Sequence, residues 1–360
     1  MLSFNIYVIL GYEAMTVTLR EVAKKAGVSP STVSLVIRGK GPNKRRFSSE
    51  TIERIRSIAN AMGYRRNLVA ANLVNSQTHT IGVLIAGLTS GFYEYILAGI
   101  KREIYPAFTP VLAVHNYDGF CEQTELEVFI GSRVDGVVAA FSGDTESIPL
   151  YRELSEKYKI PVVLIDRGIP GMNLPVVRND HYASTYKAVK ALRELGHQRI
   201  LYACLTITLE SVELYKQGYC TAMREEGLED QIQVFSRRAA DYRNEKKLGR
   251  FAGEIIDFWE ASEPSGTALL VHNDWLAYEI LAECKRRQIK VPEDLSIMGI
   301  DDQPLSSLSV FDLSTVKMDF EMIGCKAAKL LLKILRGEPL SETQIVLPVE
   351  VVMRKTTKAI

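Results

Sequence analysis

The sequence predicts an α/β protein in which a small helical head precedes a core of two lobes, each built on a parallel sheet. From residue 80 onward, short apolar runs alternate with amphipathic stretches, a pattern typical of parallel strands covered by helices. These strand–helix units are too numerous for one ordinary sheet, which predicts two lobes of about five strands each. Residues 16–65 instead have helical periodicity and an excess of positive charge.

The composition indicates a globular chain with reduced thiols. Its 360 residues give room for about two or three domains, and 47% of them are hydrophobic while 24% are charged. No apolar run is long enough to span a bilayer. The five cysteines, odd in number and without a C-x-x-C motif, predict a cytoplasmic location. The five histidines lack metal-ligand spacing, so we expect no metal and no cofactor.

Residues 1–15 are predicted to be an extension in front of the first domain. They are apolar, but they lack the basic segment and the long apolar stretch of a secretory signal peptide. Met15 is an alternative start of the natural chain.

Positive charge is concentrated in the head. Residues 16–78 hold twelve Lys or Arg and three Glu, a net charge of +9, within a chain whose total is +1. The other residues therefore carry a net charge of −8. A basic head on an acidic body predicts that the first domain binds a polyanion.

Capping residues define the first two helices of the head. Thr18 begins the first helix as part of a T-x-x-E capping box with Glu21, and Gly27 ends it. Ser29 caps the second helix, and Pro30 occupies its first position, where the missing N–H would have had no partner. Two helices joined by a short turn with glycine form a helix-turn-helix, whose second helix enters the major groove of DNA.

A third helix completes the head. Ser48 or Ser49 is expected to cap it. Its apolar residues recur at helical spacing and are expected to face a small core: Ile52, Ile55, Ile58, Ala59 and Met62.

Polar residues follow several of the predicted strands. In open α/β sheets, ligands bind beyond the carboxyl ends of the strands. The residues expected there are Asp166, Asn273, Asp274, Asp301 and Asp302. Each alone could be a strand-end cap, so a ligand site depends on their joint placement. The chain has no G-x-S-x-G, G-x-G-x-x-G or P-loop motif, and we therefore do not expect an enzyme.

Ten segments follow one another in an order known from a protein family. They are TLREVAKKAGVSPSTVSLVIRGK, SSETIERIRSIANAMGYRRN, THTIGVLI, SRVDGVVAA, IPVVLIDR, ELGHQRILY, QGYCTAMREEGL, HNDWLAYEIL, VPEDLSIMGIDD and LSTVKMD. Over residues 16 to about 356, the chain thereby resembles the lactose-repressor and galactose-repressor family of bacterial transcriptional regulators. The resemblance implies a sequence-specific regulator, generally a repressor, that binds a near-palindromic double-stranded DNA operator as a homodimer, with a tetramer left open. It also implies a periplasmic-binding-protein-like core that senses a small-molecule effector, a sugar or another metabolite.

The resemblance further implies domain boundaries. They are a helix-turn-helix DNA-binding domain at 16–65, a hinge helix at 66–79, and an effector-binding and dimerisation core at 80–356. Within the core, the first lobe is expected at about 80–177 and 308–337, and the second at about 178–307 and 338–356.

In this family the second helix lies in the major groove, which implies roles for its outward residues. The base-reading positions hold Pro30, Ser31 and Leu35. Ser31 can donate to or accept from a base edge, whereas Leu35 can only contact a thymine methyl group, or else pack beneath the turn. The hydroxyl residues expected at the DNA beside them are Thr18, Ser29, Thr32 and Ser34.

A basic segment follows the second helix. Lys44, Arg45 and Arg46 are expected to neutralise phosphates, with a solvated charge cluster as the alternative.

The hinge is expected to contact the minor groove. Leu73 matches the family's wedge residue, with packing against its dimer mate as the alternative, and Asn67 and Ala70 match neighbours on the same face. Arg66 stands where the family usually has proline.

The resemblance also implies an effector site. Its residues are Phe92, Asp166, Tyr215, Tyr242, Asn273 and Asp301. Carboxylates and amides suit hydroxyl-rich ligands, because their oxygens bridge hydroxyl groups. Tyr215 departs from the family, which has an arginine there in an R-x-x-G-[FY] motif, and a tyrosine cannot form a bidentate clamp. A modified saccharide, a different metabolite and a protein partner therefore all stay open.

A periplasmic-type solute-binding protein without a DNA role is the alternative function. It accounts for the core, but it does not account for the basic head or for the lack of a cleavable signal in residues 1–15.

Overall fold

A computed structural model describes residues 17–38, 47–65, 77–88, 91–206, 209–238, 245–262 and 266–360. The chain divides into two units, Met1–Thr78 and His79–Ile360. None of the helices in these described ranges is long and apolar enough to cross a membrane.

Three helices form the described part of the head: α1 (Leu19–Ala26), α2 (Pro30–Arg38) and α3 (Ser49–Ala61). The predicted capping box is present, because the Glu21 N–H donates to the Thr18 hydroxyl and the Glu21 carboxylate accepts from the Thr18 N–H. Gly27 ends α1 in the left-handed region at a φ of 64°, which favours glycine. Ser48, rather than Ser49, caps α3.

The head has its own apolar core. All five apolar residues predicted on α3 contribute to it, with Ile55 and Ala59 buried and the other three partly buried. The buried residues of the other two helices are Val22, Ala23, Ala26, Val33 and Val36. Since Val33 and Val36 point inward, the opposite side of α2 faces outward.

The first lobe of the core contains six parallel strands. They are β1 (Thr80–Ile85), β2 (Thr109–Val114), β3 (Gly136–Ala139), β4 (Val162–Ile165), β5 (Val176–Asn179) and β11 (Gln344–Leu347), in the order β11-β5-β4-β3-β1-β2. The helices are α4 (Tyr93–Ile104), α5 (Gly119–Gly131), α6 (Ile148–Arg152) and α11 (Phe320–Leu335). Strands β3 and β4 are buried at every residue, as expected for a parallel sheet covered on both faces.

The second lobe repeats this design. Its strands are β6 (Ile200–Thr206), β7 (Gln233–Arg238), β8 (Ala268–Val271), β9 (Ser296–Asp301), β10 (Ser314–Lys317) and β12 (Glu350–Val352), in the order β12-β10-β9-β8-β6-β7. Only β12 is antiparallel to its neighbour among these strands. The helices are α7 (His181–Glu194), α8 (Glu210–Glu225), α9 (Glu245–Ala261) and α10 (Asp274–Arg287).

The chain crosses between the lobes after β5, after β10 and after β11. The prediction that 308–337 lies in the first lobe is wrong for β10, which pairs with β9 of the second sheet. The prediction that 338–356 lies in the second lobe is wrong for β11, which pairs with β5 of the first sheet. Both strands are short, and the crossing between β10 and α11 has no glycine or proline to mark it in the sequence.

Two glycines let α4 and α11 pack backbone to backbone. A Cβ on Gly99 would lie 2.2 Å from the carbonyl oxygen of Glu321. A Cβ on Gly324 would lie 2.0 Å from the carbonyl oxygen of Ile96. Any side chain at either position must therefore push the two helices apart.

Gly99→Ala is therefore expected to lower the free energy of unfolding by about 1–3 kcal/mol through overpacking, although alanine favours helices. Urea unfolding of the full chain measures the change. Gly131→Ala is the control, because a Cβ at the exposed end of α5 has no atom within 4 Å. Equal stability of the two variants would contradict the close approach of α4 and α11.

Candidate functional site

The outer side of α2 presents short, uncharged side chains. Ser31 and Pro30 are exposed and Leu35 is partly exposed, and none of them belongs to the apolar cluster of the described head residues. The Ser29 hydroxyl accepts the Thr32 N–H at 3.2 Å and lies 2.8 Å from the Ser31 hydroxyl and 2.9 Å from that of Thr32. These hydroxyls cluster at the N-terminal end of α2, where the helix dipole favours a phosphate.

The other two helices of the head carry exposed basic side chains. The exposed ones on α1 and α3 are Arg20, Lys24, Lys25, Arg54 and Arg56. Ser34, on α2, is partly exposed. Thr18 is exposed, and its hydroxyl bonds to the Glu21 carboxylate at 3.0 Å, so its contacts are those of a helix cap.

Several predicted site residues lie outside the residues that the structure describes. They are Lys44, Arg45 and Arg46 after α2, Asn67, Ala70 and Leu73 in the hinge segment, and Tyr242 in the core.

Two of the predicted carboxylates stand at strand ends in an uncommon backbone conformation. Asp166 follows β4 with a φ of 70°, and Asp301 ends β9 with a φ of 128°. Asp302 follows with a φ of 56°. Positive φ is uncommon for residues other than glycine, and such residues cluster at binding sites.

Asp166 is held by two basic groups. The Arg167 Nε donates to the Asp166 Oδ2 at 2.8 Å, and its Nη2 contacts the same oxygen. The His181 Nε2 lies 3.2 Å from the Asp166 Oδ1 and 2.8 Å from the Asp166 backbone oxygen. Burial alone would raise the pKa of Asp166, but the Arg167 guanidinium and the His181 imidazole outweigh it, and the pKa falls well below its usual range. Asp166 therefore stays ionised.

Asp301 has the opposite environment. It is buried, and burial together with the neighbouring carboxyls of Asp274 and Asp166 raises its pKa well above the usual range. Asp274 instead holds the loop after β9, because it accepts from the Gln303 N–H at 2.8 Å and from the Ser306 hydroxyl at 2.6 Å. Burial raises the pKa of Asp274 to about 6.

Asn273 is a helix cap. Its Oδ1 accepts the Leu276 N–H at 2.9 Å, and its Nδ2 lies 3.1 Å from the His272 Nε2. These contacts are those of a cap at the end of the strand, which is the alternative that the sequence left open for this residue.

Aromatic side chains flank the carboxyls. Phe92 stacks on Phe320 with ring centroids 4.6 Å apart. The Tyr215 ring centroid lies 4.8 Å from that of His181, and its hydroxyl lies 3.9 Å from the Met318 sulfur. Burial, followed by the charges of Asp301 and Asp166, raises the pKa of the Tyr215 phenol, so it stays neutral.

A cavity of about 320 Å³ opens beside Asp301. Residues of both lobes line it, including Tyr95 and Phe320 from the first lobe and Met318 from the second. Asp301 lines this cavity, and the charges of Asp301 and Asp166 both act on Tyr215, so these three residues lie near one another. Neither Asp166 nor Tyr215 lines the cavity, and Asn273 faces its own helix.

A second contact joins the lobes at α8. The Glu210 Oε1 lies 3.1 Å from the Arg178 Nη1, and its Oε2 accepts the Gly168 N–H at 3.1 Å. Since Glu210 begins α8 and the other two residues follow or belong to first-lobe strands, one carboxylate bridges the lobes.

Sequence reasoning missed four residues of the cleft: Arg167, His181, Met318 and Phe320. Arg167 carried a usable signal, because it directly follows the predicted Asp166. The other three lie at or beside crossings between the lobes, and no motif marked those crossings.

Asp166 and Asp301 should respond in opposite ways to the loss of their charge. Asp166→Asn leaves the buried Arg167 uncompensated, so we expect a loss of about 3–5 kcal/mol in the free energy of unfolding. Asp301→Asn should not destabilise the core, because it removes a carboxyl whose charged form burial disfavours. Asparagine tolerates positive φ at both positions.

The expected pH dependence has a defined sign. Because the folded pKa of Asp301 lies above the unfolded one, this group lowers wild-type stability as the pH rises above about 4. Asp301→Asn lacks that loss, so its melting temperature relative to wild type should increase from about pH 5 to about pH 8. Thermal unfolding across that range measures it, and a constant or falling difference would contradict the environment assigned to Asp301.

Comparisons with known proteins agree with this architecture. Residues 18–67 match the family described as "Bacterial regulatory proteins, lacI family", and residues 189–357 match the "Periplasmic binding protein-like domain". The HTH-type transcriptional regulator DegA of Bacillus subtilis (strain 168) is 29% identical over 351 residues, covering 95% of this chain and 98% of DegA.

Solved structures give the same result. The lac repressor dimer bound to operator and the anti-inducer ONPF matches with a TM-score of 0.77 at 25% identity, covering 95% of this chain and 99% of that one. A LacI family transcriptional regulator from Enterococcus faecium with bound ribose matches with a TM-score of 0.66 at 25% identity, covering 78% and 99%. The chain belongs to the lacI family of bacterial transcriptional regulators, which combine a DNA-binding head with a periplasmic-binding-protein-like core.

Proposed function

We propose that this regulator is a cytoplasmic repressor without catalytic activity. Two copies bind a near-palindromic operator with their heads, and a small molecule bound between the core lobes sets the operator affinity. The main support for this proposal is the combination of two features in one chain. The basic head exposes an uncharged surface on α2, and the two-lobed core has a cleft with buried carboxyls. The basic head counts against a solute-binding protein without a DNA role.

The outward side of α2 is proposed to read the operator. Ser31 donates to or accepts from a base edge, and Leu35 contacts a thymine methyl group. The position of Leu35 outside the apolar cluster of the described head supports contact with DNA over packing beneath the turn. Ser29 and Thr32 hold phosphates at the N-terminal end of α2 and so fix the register.

The basic segment after α2 is proposed to bind phosphates without regard to sequence. The triple change of Lys44, Arg45 and Arg46 to alanine should weaken binding to operator and random DNA alike, because each lost phosphate contact flattens the salt dependence of log K by about 0.9. Fluorescence anisotropy at several salt concentrations measures the slope. Alanines at Lys326, Lys329 and Lys333, exposed on α11, are a charge-matched control. A loss confined to one operator base would contradict the proposal.

The edge strand β2 is proposed to lie in the homodimer interface. Its Val111 and Leu112 are 38% and 44% exposed, and the nearby helix α5 exposes Phe120 at 80%. An uncovered apolar edge strand favours pairing with another chain, and a second copy is the partner that the family supplies.

Leu112→Lys is therefore expected to weaken the dimer by at least about tenfold, because it buries a charge in an apolar contact. Sedimentation velocity of the full chain measures it. The control is Val346→Lys, which changes an equally exposed residue on β11 at the opposite edge of the same sheet. If both variants dissociate to the same extent, β2 does not form the dimer interface.

The cleft is proposed to bind the effector. The ribose in the Enterococcus faecium relative supports a small hydroxylated ligand. Such a ligand changes operator affinity only by its differential affinity for two arrangements of the lobes.

The experiment that tests the proposal combines two measurements. A thermal-shift screen of sugars and other metabolites identifies ligands of the core, and each hit is tested for its effect on affinity for the DNA upstream of the regulator's own gene. A hit that shifts operator affinity is the expected result. A core that no small molecule stabilises would overturn the sensing half of the proposal.

A further inference from the structure

Most charged groups around the cleft are compensated within the protein. The ion pairs are Asp166 with Arg167, Asp302 with Arg354 at 2.7 Å, and Glu321 with Arg102 at 2.6 Å. The Arg167 guanidinium also donates to the Phe141 backbone oxygen at 3.2 Å, and only 2% of Arg167 is exposed. The described part of the cleft therefore offers no free cation to a phosphate or carboxylate ligand.

Asp301 differs from these ion-paired carboxylates, and it differs from Asp319 of the same cavity in being buried. It is 8% exposed, it lines the 320 Å³ cavity, and no cation pairs with it within the described part of the chain. The groups that act on it are the Gln303 side chain and the carboxyls of Asp274 and Asp166. Tyr215, which stands close to it, carries no charge. Burial without a counter-charge favours the neutral carboxyl, and a cation delivered by a ligand would supply that counter-charge and stabilise the carboxylate.

We infer that the effector is a small hydroxylated amine whose protonated nitrogen binds Asp301. This inference rests on the proposed effector function of the cleft and specifies the ligand class. The cavity has the size of a small-molecule site. The Phe320 and Tyr95 rings line the cavity and can attract a cation, whereas the described lining offers a phosphate no unpaired cation, because Arg354 is paired with Asp302.

Three probes that share one pyranose ring test the ligand class: glucosamine, glucose and glucose 6-phosphate. Their dissociation constants for the full-length wild type are measured by titration calorimetry and thermal shift. Glucosamine should bind about tenfold or more tightly than glucose, because a charge-assisted hydrogen bond adds to the contacts they share. Glucose 6-phosphate should bind most weakly.

Two variants locate the effect. Asp301→Asn should reduce the preference for glucosamine over glucose to about onefold. Asp319→Asn removes another carboxyl of the same cavity wall and should keep the preference, since Asp319 is engaged in capping α11 through the Met322 N–H at 2.9 Å. Equal or tighter binding of glucose or its phosphate to wild type would overturn the amine inference and leave the effector function intact.

A ligand-free measurement decides the matter if none of the three probes binds. Tyr215→Arg places a permanent cation beside Asp301. It should raise the melting temperature more, or lower it less, in the wild type than in the Asp301→Asn background, because only the wild type has a carboxyl that can ionise beside the new cation. Equal shifts in the two backgrounds would overturn the inference, whereas the broader screen alone decides whether the core binds an effector.

Discussion

The buried ion pair between Asp166 and Arg167 is the interaction on which the cleft depends. Asp166 stands at the carboxyl end of β4, and Arg167 is tied to the first lobe through the Phe141 backbone oxygen. The same carboxylate reaches His181, the first residue of α7, which packs in the second lobe. Either charge alone would be buried without compensation, so removing one partner destabilises more than the pair stabilises. One carboxylate therefore stabilises the first lobe and also links it to the second.

The ion pair between Asp166 and Arg167 also affects which side chains of the cleft can bind a ligand. Asp166 is ion-paired with Arg167 and contacts His181, and Asn273 caps α10, although both occupy the strand ends where ligands bind in such folds. Asp301 and Tyr215 remain, one an uncompensated carboxyl and the other a neutral phenol. The replacement of the family's arginine by Tyr215 thus removes a positive charge at a position on which the charges of Asp301 and Asp166 act.

The sequence predicted those features of the fold that are determined by residues close together in the chain. The capping box of Thr18, the left-handed Gly27 and the burial of Ile55 each depend on residues a few positions apart, and each was predicted correctly. The two lobes and their parallel strands followed from apolar alternation. The crossings near Met318 and after β11 could not be predicted in this way. The sheet to which a strand belongs depends on the strands beside it in space, and the strand's own residues do not indicate it.

The site shows the same division. The rule that ligands bind beyond strand ends led from the sequence to Asp166 and Asp301, yet composition could not distinguish an ion-paired carboxyl from one without a counter-charge. That difference depends on Arg167 and His181, which reach Asp166 from different elements. The charge state of such a carboxyl therefore depends on partners from separate parts of the chain, and only the three-dimensional structure shows which residues these are.

Coupling between effector and operator follows from how the lobes are joined. Three crossings of the chain, the link from Asp166 to His181 and the bridge from Glu210 to Arg178 all connect the same two bodies. The head precedes β1 of the first lobe in the chain, whereas Asp301 belongs to the second lobe. A ligand at Asp301 can therefore influence DNA binding only by changing the free energy of contacts that span the lobes. The bridge at Glu210 contributes to that free energy without lining the ligand cavity. It therefore affects the equilibrium between arrangements of the two lobes even when no effector is bound.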